Sequence, residues 1–188
     1  MKRFTIVMTA IALLSSVSLV NAEETKSGLQ ADELIGAFYV TKLAGAKSDR
    51  VNVGKNLCYR CKYGGRPQVM VFTRSSDKKV LELVRQLDAA ISKNSDKQLC
   101  AFVNYLGETR TLAKEGAEGL AVASNVKNVP FVMPNEYENG PDDYGINPEA
   151  EVTVILAEGG KVKANHAAGS AKELKVDAVI SDLGKILD

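Results

Sequence analysis

A short apolar strand followed directly by an amphipathic helix is the feature that most constrains this chain. Residues 68–73 read Gln-Val-Met-Val-Phe-Thr after Pro67, a pattern typical of a central strand buried on both faces. Apolar residues then repeat at helical spacing from Val80 to Ile91, with Ser75 or Ser76 available as N-cap. Residues 100–106 form a further apolar run. A strand-helix-strand crossover packs its helix on a sheet, so the pattern predicts an α/β fold.

The remaining elements extend this sheet. Residues 38–44 and 51–53 predict an N-terminal hairpin, and residues 152–156 and 161–166 predict a second one. Residues 112–123 form a weaker helical pattern, since it contains two glycines. A capping box at Ser170 and Glu173 predicts one strong helix at the end of the chain. Together these elements predict a three-layer α/β sandwich with a mixed central sheet and an N-terminal hairpin extension.

The first 22 residues have the pattern of a secretory signal peptide. Lys2 and Arg3 precede the apolar residues 4–20, and small residues end the segment at Ala22. An uncleaved membrane anchor is the alternative, but 17 apolar positions interrupted by hydroxyl groups are short for a spanning helix. The sequence therefore predicts a secreted or periplasmic protein with no membrane attachment after cleavage. The polar residues 23–35 predict a flexible linker, and residues 36–188 a single domain.

Charge excludes one class of partner. The 188 residues carry 24 Lys and Arg against 23 Asp and Glu, without the excess of cations by which proteins neutralise nucleic-acid phosphates. We therefore expect no nucleic-acid partner.

Several C-terminal segments resemble the thioredoxin-like superfamily. Tyr144-Gly145-Ile146, the strand at 152–156 and the turn at 158–162 are similar to its C-terminal half, and Asn128-Val129-Pro130-Phe131 is similar to its redoxin or peroxiredoxin-like branch. The resemblance covers residues 38–187. It implies a catalytic cysteine at the start of the helix after the central strand and a cis-proline before a later strand. Residues 72–77 contain no cysteine and Val152 stands where the proline would be, so the usual catalytic centre of this superfamily is absent.

The chain instead carries a Cys-x-x-Cys before the central strand, at Cys58 and Cys61. Two glycines and Pro67 follow within six residues of Cys61, so we expect the pair to lie on a turn rather than a helix. On the implied fold, that turn lies at the end of the central strand opposite the usual active site.

Three interpretations of this pair stay open. A redox dithiol is favoured by nearby cations, which stabilise thiolates; these are Lys55, Arg60, Lys62 and Arg66. A structural disulfide is common in exported proteins, although so small a ring removes little entropy from the unfolded chain. A zinc site would need four ligands, of which only Cys100 and His166 remain, and c-type haem attachment would need histidine where Lys62 stands.

Cys100 and His166 have simpler interpretations. Cys100 begins a predicted strand, where a free cysteine is most often a small buried apolar residue. The alternative is a third thiol that resolves a disulfide with Cys58 or Cys61. His166, the only histidine, shares a strand face with apolar residues, which favours a packed or edge histidine over a catalytic base.

The sequence therefore predicts an exported thiol-disulfide oxidoreductase whose catalytic residues are Cys58 and Cys61, with Cys58 attacking by analogy with the superfamily's first cysteine. It would need no cofactor or metal, and its partners would be disulfides of other exported proteins or a membrane reductase. The alternative function is a non-catalytic binding or scaffold domain, in which the Cys-x-x-Cys is a structural disulfide. A peroxidase is disfavoured because the helix start after Phe72 has no cysteine.

Overall fold

A computed structural model describes residues 25–188, so the predicted signal peptide at residues 1–22 lies outside the described residues. The core is one seven-stranded mixed sheet with the strand order β2-β1-β5-β4-β3-β6-β7. The strands are β1 Val40–Gly45, β2 Asn56–Leu57, β3 Gln68–Thr73, β4 Cys100–Tyr105, β5 Pro130–Pro134, β6 Val152–Glu158 and β7 Lys161–Ala168. The helices are α1 Tyr59–Tyr63, α2 Lys78–Lys93, α3 Arg110–Ser124, α4 Val176–Ser181 and α5 Gly184–Leu187. Within the described range, no helix is long and apolar enough to cross a membrane.

The centre of the sheet is a pair of parallel strands. Gln68 of β3 is in register with Cys100 of β4, and Thr73 with Tyr105, while β6 runs antiparallel on the other side of β3. The starts of β3 and β4 therefore lie together, and we call the region around them the amino end of the sheet. Their last residues define the carboxyl end.

Side chains of β3 alternate between two apolar layers. Val69 and Val71 pack in the cluster that contains the buried residues of α2 to α5, whereas Met70 and Phe72 pack in the cluster that contains Tyr59 of α1. Every residue of β3 is buried, which confirms a central strand covered on both faces. The three-layer α/β sandwich predicted from the sequence is confirmed.

Helix α2 forms where its apolar stripe predicted it, but its cap differs. The buried residues of its inner face are Val80, Leu83, Val84 and Leu87. Its N-cap is Asp77, whose carboxylate accepts a hydrogen bond of 2.9 Å from the Lys79 amide. The prediction of Ser75 or Ser76 as the cap is therefore wrong.

The N-terminal hairpin has a different second strand from the one expected. Val40 of β1 pairs with Leu57 of β2, and residues 51–53 are not a strand. The physical reason is the buried ammonium group of Lys42, which donates hydrogen bonds to the carbonyl oxygens of Ala46 and Val51. Those carbonyls are turned toward the cation and the backbone between them leaves the sheet.

The described part of the predicted flexible linker is packed. Ser27 and Ile35 are buried, and the side-chain amide of Asn165 in β7 donates to the carbonyl oxygens of Ser27 and Leu29. Leu34 forms an isolated bridge with Lys161 at the start of β7. Since neighbouring polar groups satisfy this backbone, the segment is ordered with few apolar residues, and the linker prediction for residues 23–35 is wrong over this part.

Two further differences concern β5 and the end of the chain. β5 was not expected, because a proline stands at each of its ends; it pairs with β1 and β4 nonetheless. The capping box predicted at Ser170 does not form: a 3-10 turn at Ala171–Glu173 has no side-chain cap. The predicted single helix is divided into α4 and α5.

Candidate functional site

Cys58 and Cys61 form a disulfide at the start of α1, with 5.2 Å between their Cα atoms. Cys58 is the N-cap residue, and its Sγ accepts a hydrogen bond of 3.0 Å from the Cys61 amide. The expectation of a turn is therefore wrong: the chain makes one short helix before Gly64, with a positive φ of 62°, ends it. The glycines and Pro67 stop the helix but do not prevent it.

Two buried tyrosines hold this short helix on the sheet. Tyr59 and Tyr63 stand four residues apart, so both side chains lie on one face of α1. Their rings pack on Phe102 of β4, with centroid distances of 5.6 and 5.9 Å. The Tyr63 hydroxyl also donates to the carbonyl oxygen of Ala101 at 3.3 Å. The packed rings and this hydrogen bond therefore hold α1 at the amino end of the sheet.

A buried ion pair anchors α1 from the other side. The Lys42 ammonium lies 2.7 Å from the Asp49 carboxylate, and their side chains are 1% and 7% exposed. The Tyr59 hydroxyl donates to the same carboxylate. Burial raises the pKa of Tyr59, and the hydrogen bond to Asp49 raises it further, so the hydroxyl stays protonated as a donor. Each buried charge in this network thus has a partner.

The two sulfur-bearing residues differ in exposure. Cys58 is 8% exposed, whereas Cys61 belongs to the exposed class. The sequence around the pair is cationic: from Lys55 to Arg66 there are four Lys or Arg and no Asp or Glu. The Arg66 guanidinium lies 5.1 Å from the centroid of the Tyr63 ring. Positive charge beside a cysteine pair favours the thiolate, which is the reactive form.

Cys100 lies at the same end of the sheet but takes no part in the disulfide. It is a free buried thiol whose Sγ donates to the Pro67 carbonyl oxygen at 3.2 Å. Burial raises the pKa of Cys100 to about 12, although Arg66 opposes the shift. The thiol is therefore protonated at neutral pH and has the character of a small buried residue.

His166 and the acidic residues form no cluster of ligands with the cysteines. The His166 Nε2 lies 3.0 Å from the Asp182 carboxylate beyond the end of α4. Among residues 25–188, no group of three or more His, Cys, Asp or Glu side chains is arranged to hold a metal ion.

The carboxyl end carries no thiol. Residues 73–77 read Thr-Arg-Ser-Ser-Asp, and the backbone amide of Arg74 donates to the Glu151 carbonyl oxygen at 2.9 Å. A cleft of about 520 Å³ opens beside Arg74 and is also lined by Tyr105 and Glu108. None of the peptide bonds described between residues 25 and 188 is cis. The end where the superfamily holds its cysteine and cis-proline thus has neither.

The sequence reasoning found the cysteine pair but missed Tyr59, Lys42 and Asp49, which position it. The tyrosine spacing in Cys-Tyr-Arg-Cys-Lys-Tyr and a lysine within the apolar residues 38–44 are signals that would have pointed to them.

Comparison with known proteins shows the fold. No protein-family model matches the chain, and no curated protein matches it by sequence. A thiol:disulfide interchange protein from Bacteroides sp. is similar in structure, with 14% identity, a TM-score of 0.59, and 85% of this chain and 91% of that one covered. AhpC from Mycobacterium tuberculosis has 13% identity and a TM-score of 0.60, covering 85% of this chain and 99% of that one.

A thiol peroxidase from Chromobacterium violaceum is also similar, with 14% identity, a TM-score of 0.51, and 84% and 87% of the two chains covered. The chain therefore has a thioredoxin-like fold, as the resemblance in the sequence implied.

Proposed function

We propose that this protein is an exported thiol-disulfide oxidoreductase whose redox centre is the Cys58–Cys61 disulfide. The observation that carries the proposal is an exposed cysteine, Cys61, joined to its partner within a cationic segment of a thioredoxin-like fold. Such a disulfide is accessible to an incoming thiolate, and the nearby cations favour the thiolates that its reduction produces.

A purely structural bridge explains the pair less well. Closing a ring of four residues removes loop entropy worth about 2 kcal/mol at most in the chain-entropy model. Helix α1 is already fixed by the buried rings of Tyr59 and Tyr63 and by the hydrogen bond from Tyr59 to Asp49. The fold therefore has little need of the disulfide for stability.

The reaction is a two-electron exchange. A partner thiolate attacks one sulfur of the pair, the Cys58–Cys61 bond breaks, and the other sulfur leaves as a thiolate while a mixed disulfide forms. A second thiolate of the partner attacks its own sulfur in the mixed disulfide. The partner leaves with a disulfide, and this protein holds two reduced cysteines. The reverse sequence reduces a partner disulfide.

The partners in this proposal are other exported proteins. The signal-peptide pattern of residues 1–22 supports a secreted or periplasmic location. Disulfides persist in such compartments, so both substrates and oxidised forms of the site would be available there.

A double variant tests the proposal. Cys58→Ser with Cys61→Ser should abolish the reduction of insulin disulfides by dithiothreitol that the wild type catalyses. Two control variants should keep the wild-type rate: Cys100→Ser, and Ser75→Ala with Ser76→Ala at the carboxyl end.

The reduction potential of the wild-type pair, measured in glutathione buffers, gives an independent result. A potential below about −300 mV would mark a structural bridge and contradict the proposal. An unchanged rate in the double variant, with only a lower melting temperature, would favour a non-catalytic binding domain instead.

A further inference from the structure

We infer that Cys61 is the sulfur that exchanges with the partner and that Cys58 is the resolving cysteine, the reverse of the order expected by analogy with the superfamily. This assignment rests on the proposed function and concerns the same pair.

Cys58 and Cys61 occupy different positions at the start of α1. Successive residues of an α-helix are about 100° apart, so Cys61 lies about 160° around the helix from both Tyr59 and Tyr63. Both tyrosines are buried against the sheet. Cys61 must therefore face away from the sheet, and it is exposed. Cys58, at the N-cap, is 8% exposed.

Exposure matters because exchange needs direct contact between sulfurs. The attacking thiolate must reach the sulfur that becomes part of the mixed disulfide. A protein partner can approach Cys61 without moving α1. Cys58 is nearly buried beside α1, which the rings of Tyr59 and Tyr63 hold on Phe102, so an incoming sulfur has little access to it.

One hydrogen bond within the pair makes the two sulfurs different as leaving groups. When a thiolate attacks the Cys61 Sγ, the negative charge develops on the departing Cys58 Sγ. That atom already accepts a hydrogen bond of 3.0 Å from the Cys61 amide. Hydrogen bonds to an anion favour its charged form, so Cys58 is the better leaving group. The Cys61 Sγ has no such donor in the described part of the chain, and an attack on Cys58 would leave the charge there.

The complete cycle follows from this assignment. In the oxidising direction, a partner thiolate attacks the Cys61 Sγ, the Cys58–Cys61 bond breaks, and Cys58 leaves as a thiolate. A second partner thiolate then releases Cys61, and the partner gains a disulfide. In the reducing direction, the Cys61 thiolate attacks the partner disulfide and expels one partner thiolate. The Cys58 thiolate then attacks the Cys61 Sγ and expels the second.

Two single variants test the assignment in a Cys100→Ser background, so that each protein keeps one thiol. Cys58→Ser leaves Cys61, and Cys61→Ser leaves Cys58. We expect the variant that retains Cys61 to form a mixed disulfide with 5,5′-dithiobis(2-nitrobenzoate) at least about tenfold faster, because its thiol is accessible. In concentrated urea the two rates should become similar, because unfolding exposes Cys58 and Cys61 equally.

An equal or faster rate for the folded Cys61→Ser variant would overturn the assignment. Circular dichroism on both variants ensures that the comparison is made between folded proteins. Failure of the proposed function gives a different result: a wild-type disulfide that stays oxidised in the most reducing glutathione buffer, with Cys61 still the faster thiol, would refute the redox function and leave the order of accessibility intact.

Discussion

The two ends of the central strands differ in what they hold and in how they hold it. The amino end carries the Cys58–Cys61 disulfide on a short helix fixed by buried tyrosines and a buried ion pair. The carboxyl end, where the superfamily has its cysteine, carries Arg74, the capped start of α2 and an open cleft. A fold supports several sites because the chemistry lies in the loops and helix ends attached to it. Here the same sheet offers two such ends, and the cysteine pair lies at the less usual one.

The largest expected effect is on the alkylation rate of Cys100, the sulfur of the amino end that is outside the disulfide. With the disulfide intact, Cys100 is the free thiol. Its pKa of about 12 against an ordinary 9.0 lowers the thiolate fraction at pH 8 about a thousandfold. Alkylation by iodoacetamide should therefore be slower by about that factor in the folded protein than in urea. Rapid alkylation of folded protein would show that Cys100 is available as a third redox thiol.

The raised pKa of Cys100 also makes the free energy of unfolding depend on pH. The folded state holds the Cys100 proton more tightly than the unfolded state, so this contribution to stability is complete below pH 9 and is lost as the pH rises toward 12. Cys100→Ala should show a shallower loss of stability over that range in urea titrations.

The next largest effect is on the free energy of unfolding, when one charge is removed from an ion pair at each end of the sheet. Asp49→Asn leaves the buried Lys42 ammonium without its counter-charge, and we expect the free energy of unfolding to fall by about 3 kcal/mol. The matched control is Glu82→Gln near the start of α2. Its partner Lys79 is 3.0 Å away, but both side chains are more than two-fifths exposed, so the loss should be below about 0.5 kcal/mol. Similar losses in urea denaturation would show that the amino end is not held by its buried network.

The smallest effect concerns the wall of the carboxyl-end cleft. A Cβ atom added at Gly116 of α3 would overlap the Tyr105 ring, whereas one at Gly119 meets nothing within 4 Å. Gly116→Ala should lower the free energy of unfolding by about 1–3 kcal/mol through overpacking. Gly119→Ala should raise it by about 0.5–1 kcal/mol through helix propensity. Equal effects of the two substitutions would mean that α3 and Tyr105 are not closely packed at this end.

Strong local periodicity made part of this structure predictable. β3, β4 and α2 follow directly from apolar patterns, and their order predicts an α/β fold. The thioredoxin-like architecture was implied by the resemblance of the C-terminal segments. The predicted strand at residues 51–53 is wrong because the buried Lys42, nine positions before Val51, turns the backbone out of the sheet. β5 was missed because it begins and ends with proline, although β1 pairs with it from end to end and β4 pairs with its centre.

At the candidate site, the cysteine pair and its cationic surroundings were visible in the sequence, and its helical setting was not. Glycine and proline predicted a break after Cys61, but they could not show that one turn of helix fits before it. That turn is stabilised by Tyr59 and Tyr63 packing on a strand about forty residues away. Such long-range packing outweighs local propensity in a helix this short.

The position of the two cysteines ahead of the central strand and the lack of sulfur at the usual catalytic position are visible in the sequence, because both depend only on order along the chain. Which sulfur is exposed, why the pKa of Cys100 is raised, and how Lys42 and Asp49 hold the helix are visible only in the folded protein. Side-chain exposure, the pKa of a buried group and the pairing of buried charges depend on groups brought together from distant parts of the chain. No local sequence pattern predicts those contacts.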